Sequence, residues 1–149
     1  MKVSSNGFDI IKQFEGLRLK PYLCPAGKPT IGYGSTFYED GTKVTLNDNP
    51  ITKERADELL EFIVNKKFVP YIDKLVKVPL SQNQFDALVS FIYNIGNENF
   101  RTSTLLAFLN KKNYKESARQ LLRWDKSNKK VLSGLKERRK VEKELFEKV

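Results

Sequence analysis

Hydrophobic residues are spaced differently before and after residue 52 of this chain. Between residues 8 and 14 they recur every three or four positions, behind serine and asparagine side chains at 4–6 that suit a helix cap. Gly16 can take the left-handed conformation that ends a helix. This pattern predicts a first helix over residues 7–15, with Glu15 at its C-terminal end.

Residues 17–44 contain frequent prolines and glycines between short runs such as TIGYG. Short segments separated in this way are typical of strands joined by tight turns, so the region is predicted to form a small antiparallel sheet. The stretch that follows, as far as Pro50, is predicted to be a surface loop or a further hairpin around Asp40–Gly41.

The chain after Pro50 has the periodicity of helices. Thr52 can cap a helix that we expect to run to about Lys67 and to end before Pro70. The hydrophobic positions on one face of this helix are Ala56, Leu59, Leu60, Ile63 and Val64.

Further helices are predicted toward the C-terminus. Ser81 and Gln84 form an S-x-x-Q capping box, which opens a helix with hydrophobic residues at helical spacing. Two more helices are expected over residues 103–110 and 114–124, and a last one from about Gly134.

These elements predict one α+β domain covering residues 1–149. We expect a small N-terminal lobe over residues 1–51, which holds the sheet, and a larger helical lobe over residues 68–149. The helix over residues 52–67 would join them. A chain of 149 residues with 40% hydrophobic and 30% charged residues has the ordinary composition of a globular domain with its own core.

The composition excludes several kinds of site. The single cysteine, Cys24, rules out an internal disulfide, and the absence of histidine rules out a histidine-based triad and the usual cysteine–histidine zinc sites. No metal or cofactor is expected. The N-terminal stretch has no hydrophobic signal region, and no hydrophobic run approaches the roughly 18 residues of a membrane span. We therefore expect neither a secretory signal nor a membrane anchor.

The formal net charge of +9 favours polyanionic partners. Nucleic acid, anionic lipid and anionic cell-wall polymer would all fit this charge, and so would a merely solvated basic surface. No recognised nucleic-acid-binding motif accompanies it. Charge alone therefore does not select the partner.

A carboxyl, a thiol and a hydroxyl stand close together in the N-terminal sequence. Glu15 would face the negative end of the helix dipole, and its neighbours Phe14 and Leu17 would desolvate it, which together favour the protonated form of a general acid. An exposed glutamate at a helix end is the alternative. Taken alone, Cys24 suits a small buried hydrophobic position and Thr30 an ordinary strand position.

The string FEGLRLKPY…TIGYG resembles the signature of the phage-type lysozymes, glycoside hydrolase family 24. The stretch ITKERADELL is similar to the family's connecting helix, and LSQNQFDALVSFIYNIGNENFRTSTLL is similar to its cleft-lining helix pair. The stretch RW…KVLSGLKERRKVE is similar to the family's C-terminal part. The resemblance covers nearly the whole chain and implies a lysozyme-like fold.

The resemblance also implies roles for three residues. Glu15 stands where the family has its general acid, and Thr30 where a threonine helps to hold the attacking water. Cys24 occupies the position of the family's usual aspartate. Aspartate is charged at pH 7, whereas a thiol with an ordinary pKa near 8.5 is mostly neutral. An ionised Glu15 would raise the pKa of this thiol and Lys20 or Lys28 would lower it, so thiolate, nucleophile and water-positioning roles all stay open.

Four further positions match the family's substrate contacts. Tyr93 matches an aromatic residue that lines the cleft, and Thr36 follows the GYGS corner that contacts sugar. Ser103 and Gln120 match polar positions of the cleft. Ordinary packing or surface positions are the alternative for all four. Ser35 stands where relatives often have histidine, so a charge pair built on that histidine is absent.

The resemblance implies an endolysin that hydrolyses, with inversion, the β-1,4 bond between N-acetylmuramic acid and N-acetylglucosamine in bacterial peptidoglycan. We expect a monomer that stays in the host cytoplasm until a phage holin permeabilises the membrane, and that then reaches the cell wall. Two alternatives stay open. One is a lytic transglycosylase, which acts on the same bond without a water-activating carboxylate. The other is a non-catalytic protein that binds cell wall or nucleic acid.

Overall fold

The computed structural model describes residues 1–127 and 129–148. The helices are α1 (Ser5–Glu15), α2 (Lys53–Ile63), α3 (Val69–Leu75), α4 (Gln82–Ile95), α5 (Asn97–Arg101), α6 (Thr104–Asn110), α7 (Tyr114–Leu121) and α8 (Ser133–Glu147), with a π-helical turn at Val64–Phe68. The strands are β1 (Arg18–Leu23), β2 (Pro29–Gly32), β3 (Lys126–Ser127) and β4 (Lys130–Val131). The predicted α+β class is confirmed.

Strands β1 and β2 form the antiparallel pair that the glycine and proline pattern predicted. Tyr22 faces Thr30 across this pair. Beyond β2, an isolated bridge joins Phe37 to Lys43. The turn between them includes Gly41, whose φ of 88° is in the left-handed region that glycine tolerates. This turn is the predicted second hairpin.

Helix α1 begins at Ser5, earlier than predicted, and ends at Glu15 as expected. Ser4 is the N-cap residue, but its side chain does not cap the helix, which corrects the expected capping role. The Ser4 hydroxyl instead donates to the carboxylate of Asp86 on α4, and the Ser4 amide donates to the same carboxylate at 3.0 Å. These bonds fix the start of α1 against α4. Gly16 ends the helix with a φ of 74°.

The helix predicted over residues 52–67 has two geometries. Thr52 caps α2 as expected, accepting a hydrogen bond from the backbone amide of Arg55 at 3.1 Å. The α-helical geometry stops at Ile63, and the π-helical turn continues the chain into α3. Pro70 lies in the first turn of α3, directly after the π-helical turn. The prediction that helical structure ends before Pro70 is therefore wrong.

Helix α4 is the centre of the hydrophobic core. Its capping box is formed as predicted, because the side chains of Ser81 and Gln84 each accept a hydrogen bond from the other's backbone amide. Every residue from Phe85 to Ile92 is buried. Helices α1 and α8 both pack against α4, so α4 brings the two ends of the chain together.

The C-terminal elements differ from the predictions in detail. Helix α7 ends at Leu121 rather than at residue 124. The short helix α5 and the hairpin β3–β4 were not predicted, because such short elements show no period. Helices α6 and α8 begin within one residue of their predicted starts. The lobe boundaries stay a prediction. Within residues 1–127 and 129–148, no helix is long and apolar enough to cross a membrane.

Candidate active site

A cavity of about 280 Å³ opens beside the C-terminal end of α1. Residues of α1, the loop after β2, α2 with its π-helical turn, and α4 surround it. Its lining consists of Glu15, Gly34, Ser35, Thr36, Phe37, Ile63, Lys67, Phe68, Tyr93 and Asn94. Three of the residues predicted for the site, Glu15, Thr36 and Tyr93, therefore face one cavity.

The Glu15 carboxylate forms an ion pair with Arg138 of α8. Its Oε2 accepts a hydrogen bond from the guanidinium at 2.7 Å. The Glu15 side chain is 22% exposed, whereas Arg138 is only 3% exposed. The sequence predicted an environment that only disfavours charge. That prediction is incomplete, because a neighbouring guanidinium stabilises a carboxylate.

Arg138 is held by groups other than Glu15. Its Nε donates to Glu142 Oε2 at 3.1 Å, and its terminal nitrogen donates to the backbone carbonyl of Ser90 at 2.9 Å. The Ser90 hydroxyl donates to the same oxygen of Glu142 at 2.6 Å. The guanidinium is thus fixed from two sides before it reaches the Glu15 carboxylate.

Arg139 completes this buried cluster. Its Nε lies 2.8 Å from Glu142 Oε1, and its terminal nitrogen donates to Asn94 Oδ1 at 2.8 Å. Burial lowers the pKa of Arg139 to about 10, and burial raises the pKa of Glu142. Both shifts have the same physical cause, since a charged group loses hydration when it is buried.

The sequence analysis missed the cluster of Arg138, Arg139 and Glu142, although α8 contains a signal for it. Phe146 is buried on the inner side of the helix, and the three charged residues precede it at helical spacing. Charged residues in the phase of a hydrophobic stripe indicate a buried polar cluster.

Tyr93 and Gly34 shape the cavity beside the proposed acid. The Tyr93 hydroxyl donates to the backbone carbonyl of Tyr33 at 2.6 Å, and burial raises the pKa of Tyr93. The ring of Tyr93 lies 5.3 Å from that of Phe68, centroid to centroid. Gly34 has a φ of 89°, and a Cβ atom there would lie 3.2 Å from Glu15 Oε1. Glycine thus leaves the space that the carboxylate uses.

Cys24 and Thr30 meet at the turn between β1 and β2. The hydrogen-bond donors of the Lys28 backbone amide and the Thr30 hydroxyl lie close enough to lower the pKa of the Cys24 thiol. The sequence analysis expected a lysine charge to have this effect, and the cause is instead hydrogen bonding. The Thr30 hydroxyl donates to the Lys28 carbonyl at 2.8 Å. Because a hydroxyl rotates, the same proton can be given to a thiolate.

The pKa of Tyr22 responds to charges on both the thiol and the carboxylate. Burial raises the pKa of Tyr22, Arg18 lowers it, and the negative charges of Cys24 and Glu15 raise it again. Tyr22 is therefore close enough to both groups to sense their charge. Neither Cys24 nor Thr30 lines the cavity that contains Glu15.

Ser103 and Gln120 lie apart from this arrangement. The Ser103 hydroxyl donates to the carbonyl of Phe100 at 2.7 Å and accepts from the amide of Leu106 at 3.1 Å, so it caps α6. The Gln120 side chain is buried and donates to Glu116 at 3.1 Å. Neither residue lines the cavity. Their contact with sugar stays a prediction.

The groups at this site suit acid–base chemistry. A carboxyl group can give or take a proton, and a thiol with a lowered pKa is more readily ionised. Within the described ranges, no group of three or more cysteine, aspartate or glutamate side chains is placed to hold a metal ion.

A sequence model of the family described as phage lysozyme matches residues 12–142. The chain belongs to the phage lysozyme family. The resemblance seen in the sequence is thereby confirmed, and the family makes this chain an enzyme of the muramidase, or glycoside hydrolase, class. The matched range includes Glu15, Cys24, Thr30 and Arg138.

Two relatives in this family illustrate how much of a protein the chain spans. The endolysin of Bacillus phage B103 is 45% identical over 148 residues, which cover 98% of this chain and 54% of that protein. The endolysin of Acyrthosiphon pisum secondary endosymbiont phage 1 is 40% identical over 151 residues, which cover 99% of each. The chain therefore spans about half of the first relative and nearly all of the second.

A solved structure of a P22 lysozyme mutant has the same fold as this chain. The two structures superpose with a TM-score of 0.87 at 44% sequence identity, and the match covers 98% of each chain. The predicted lysozyme-like fold is confirmed.

Proposed function

We propose that this chain is an endolysin that hydrolyses the β-1,4 bond between N-acetylmuramic acid and N-acetylglucosamine in bacterial peptidoglycan. The observation that carries the proposal is the carboxyl group of Glu15, which faces a cavity and is held by the buried Arg138. Membership of the phage lysozyme family supports it.

The first step is proton transfer from Glu15 to the bridging oxygen of the glycosidic bond. The bond between the anomeric carbon and this oxygen then breaks, and positive charge develops on the sugar ring. As the proton leaves, Glu15 becomes a carboxylate 2.7 Å from the Arg138 guanidinium. Arg138 therefore stabilises a charge that appears only as the reaction proceeds, which lowers the barrier.

The second step is attack of water on the anomeric carbon. Cys24 and Thr30 hold this water, and the thiolate form of Cys24 takes its proton. The hydrogen bonds that lower the pKa of Cys24 increase the thiolate fraction near neutral pH. The products are two sugar ends, one of them reducing. Glu15 then regains a proton from solvent, and Cys24 releases to solvent the proton that it took from the water.

The sugar would contact Thr36 and Tyr93, which line the cavity with Glu15. Since the Tyr93 hydroxyl is occupied by the Tyr33 carbonyl, the ring surface is the part of Tyr93 available to a sugar. Ser103 and Gln120 remain weaker candidates, because their polar groups already bond within the helical region.

We propose that the enzyme remains in the host cytoplasm until a holin permeabilises the membrane, and then acts at the cell wall as a monomer. The net charge of +9 would attract anionic wall polymers, and dissolved salt would screen this attraction. Wall binding should then weaken as salt is added.

Digestion of purified peptidoglycan tests the proposal. The wild-type protein should release reducing ends, and Glu15→Gln should reduce the rate by about 10²–10⁴-fold because the amide has no acidic proton. Glu137→Gln, an exposed change on α8, is the matched control and should keep the wild-type rate. Mass spectrometry of the products separates the alternatives: anhydro ends would indicate a transglycosylase, and no release by the wild type would indicate a binding protein.

A further inference from the structure

The positive charge of the chain is concentrated in one segment near its C-terminal end. Residues 111–140 contain twelve lysine or arginine residues and three acidic residues, a difference of nine that equals the formal net charge of the whole chain. The basic and acidic residues of the rest of the chain therefore balance each other. A charge distribution this uneven directs an anionic partner to one part of the surface.

The hairpin β3–β4 lies in the middle of this segment. Lys126 pairs with Val131 across the hairpin, and all four residues of the two strands are exposed. The backbone amide of Leu132 donates to the carbonyl of Asp125 at 2.9 Å, which joins the hairpin to the start of α8. We call residues 122–127 and 129–136 the basic hairpin. Its exposed strands leave it free to contact a partner outside the fold.

The exposed cations of the basic hairpin have no acidic partner among the described residues. These cations are Arg123, Lys126, Lys129, Lys130 and Lys136. The basic side chains that form ion pairs in residues 1–127 and 129–148 are Lys12, Lys53, Arg55, Arg101, Arg119, Arg138, Arg139 and Lys143. None of the five cations belongs to this group, so their charge can act on an external anion.

Large apolar side chains are exposed among these cations. Leu122 is 41% exposed, Val131 54% and Leu132 44%. A soluble polyanion would be attracted by the cations alone and would gain nothing from these three side chains. A lipid bilayer gains from both, because apolar side chains leave water at the headgroup boundary while lysine and arginine stay beside the lipid phosphates. The combination therefore favours a membrane surface.

We propose that the basic hairpin docks this chain on the surface of an anionic lipid bilayer. Leu122, Val131 and Leu132 enter the interface, and the five exposed cations contact lipid phosphates. A cluster of about four to eight basic residues is the size that binds anionic leaflets. No residue of the basic hairpin lines the Glu15 cavity, so docking leaves that cavity unoccupied. In a host cell, as proposed above, the leaflet would be the cytoplasmic face of the membrane, where docking would hold the enzyme before lysis.

Flotation of the protein with lipid vesicles tests the proposal. The wild type should bind vesicles of phosphatidylglycerol with phosphatidylethanolamine and should not bind vesicles of phosphatidylcholine, which carry no net charge. Lys126→Gln with Lys130→Gln should weaken binding by roughly tenfold to thirtyfold, since each cation beside an anionic leaflet contributes about fivefold. Binding of the wild type to phosphatidylcholine with equal affinity would overturn the proposal.

A second double variant removes the apolar contacts and keeps every charge. Val131→Ser with Leu132→Ser should weaken binding to the anionic vesicles by roughly tenfold, because the apolar side chains no longer leave water. Leu132 is the N-cap residue of α8, a position that suits serine, so the helix should be kept. Unfolding followed by circular dichroism checks that each variant is folded.

Matched controls separate the basic hairpin from general charge and general hydrophobicity. Lys66→Gln with Lys74→Gln removes the same charge from exposed lysines outside the basic segment, and Leu46→Ser changes a leucine that is 52% exposed elsewhere. Both controls should bind the anionic vesicles as the wild type does. An equal loss in the control lysine pair and the hairpin lysine pair would overturn the proposal. A lipid-free glycerol phosphate polymer bound as tightly as the vesicles, with no effect of the serine pair on either, would overturn it in favour of polymer binding.

Trp124 reports whether the hairpin is the part that touches lipid. It is the only tryptophan of the chain, and it directly precedes Asp125, whose carbonyl accepts from Leu132. Vesicles with brominated acyl chains should therefore quench its fluorescence when the wild type binds. Binding without quenching would place the contact elsewhere on the protein and overturn the proposal.

Cleavage of purified peptidoglycan by the wild type is measured separately and reports on the proposed function alone, since the vesicles contain no peptidoglycan. If the wild type cleaves peptidoglycan but does not bind anionic vesicles, membrane docking fails and the proposed function stands. If it binds the vesicles through the hairpin but cleaves nothing, the proposed function fails and membrane docking stands.

Discussion

Replacing Glu142 by glutamine would remove the shared counter-charge of the two arginines on α8. Glu142 is fully buried, and it lies 3.1 Å from Arg138 Nε and 2.8 Å from Arg139 Nε. Glutamine keeps the shape but leaves two buried cations without this anion. Losing one partner of a buried ion pair costs about 3–5 kcal/mol. At about 2–4 °C per kcal/mol, we expect the unfolding midpoint to fall by roughly 6–20 °C.

Thermal unfolding followed by circular dichroism at neutral pH measures this effect. Glu144→Gln makes the same chemical change at an exposed position of the same helix and should shift stability by less than about 0.5 kcal/mol. A melting temperature of Glu142→Gln within about 2 °C of the wild type would be a smaller shift than a loss of about 3–5 kcal/mol allows. The buried cluster would then not contribute to stability as reasoned.

The same variant also tests how Arg138 influences the proposed acid. With Glu142 uncharged, Arg138 has Glu15 as its remaining carboxylate partner among the described residues. The guanidinium of Arg138 would then lose the carboxylate that holds it opposite Glu15, so cleavage of peptidoglycan should slow. An unchanged cleavage rate, at a temperature where the variant is folded, would indicate that Glu142 supports only the fold.

Three further predictions concern the sheet side of the site. Gly34→Ala should lower the rate of peptidoglycan cleavage strongly, because the added Cβ would lie 3.2 Å from Oε1 of the proposed acid Glu15. Gly41→Ala is the control: its φ of 88° is similar but the space around it is open, so it should lose stability and keep activity in the same assay. Cys24→Asp should remain active on peptidoglycan while Cys24→Ala is much slower, and full activity of the alanine variant would exclude the role. Alkylation of the wild-type thiol should follow an apparent pKa lower than that of a free cysteine. Hydrogen bonds from Arg55 lower the pKa of Glu39, so this pair stabilises the fold at pH above the unfolded-state pKa of about 4.3 and loses its contribution as the pH falls through the lower pKa of the folded state. The difference in melting temperature between the wild type and Glu39→Gln should therefore shrink with acidification, and a constant difference would contradict the reasoning.

Elements whose signals are local were predicted well from the sequence. Thr52 and the Ser81–Gln84 capping box mark helix starts through bonds that span three residues, and Gly16 ends α1 through its own backbone conformation. The π-helical turn after Ile63 was not predicted, because no residue in it breaks the helical pattern. Local signals therefore located the elements but not the change of geometry within one of them.

The candidate site contains one pair of residues that lie close together in the sequence and another pair that only the folded core brings together. Cys24 and Thr30 belong to one hairpin, so their spacing in the sequence already places them together once the turn forms. Glu15 and Arg138 are separated by 123 positions, and their ion pair exists only because α1 and α8 both pack against α4. A motif can therefore point to the proposed acid, whereas the cation that pairs with it depends on how the whole core is assembled. Changes to the core between α4 and α8 should consequently affect catalysis without touching the motif.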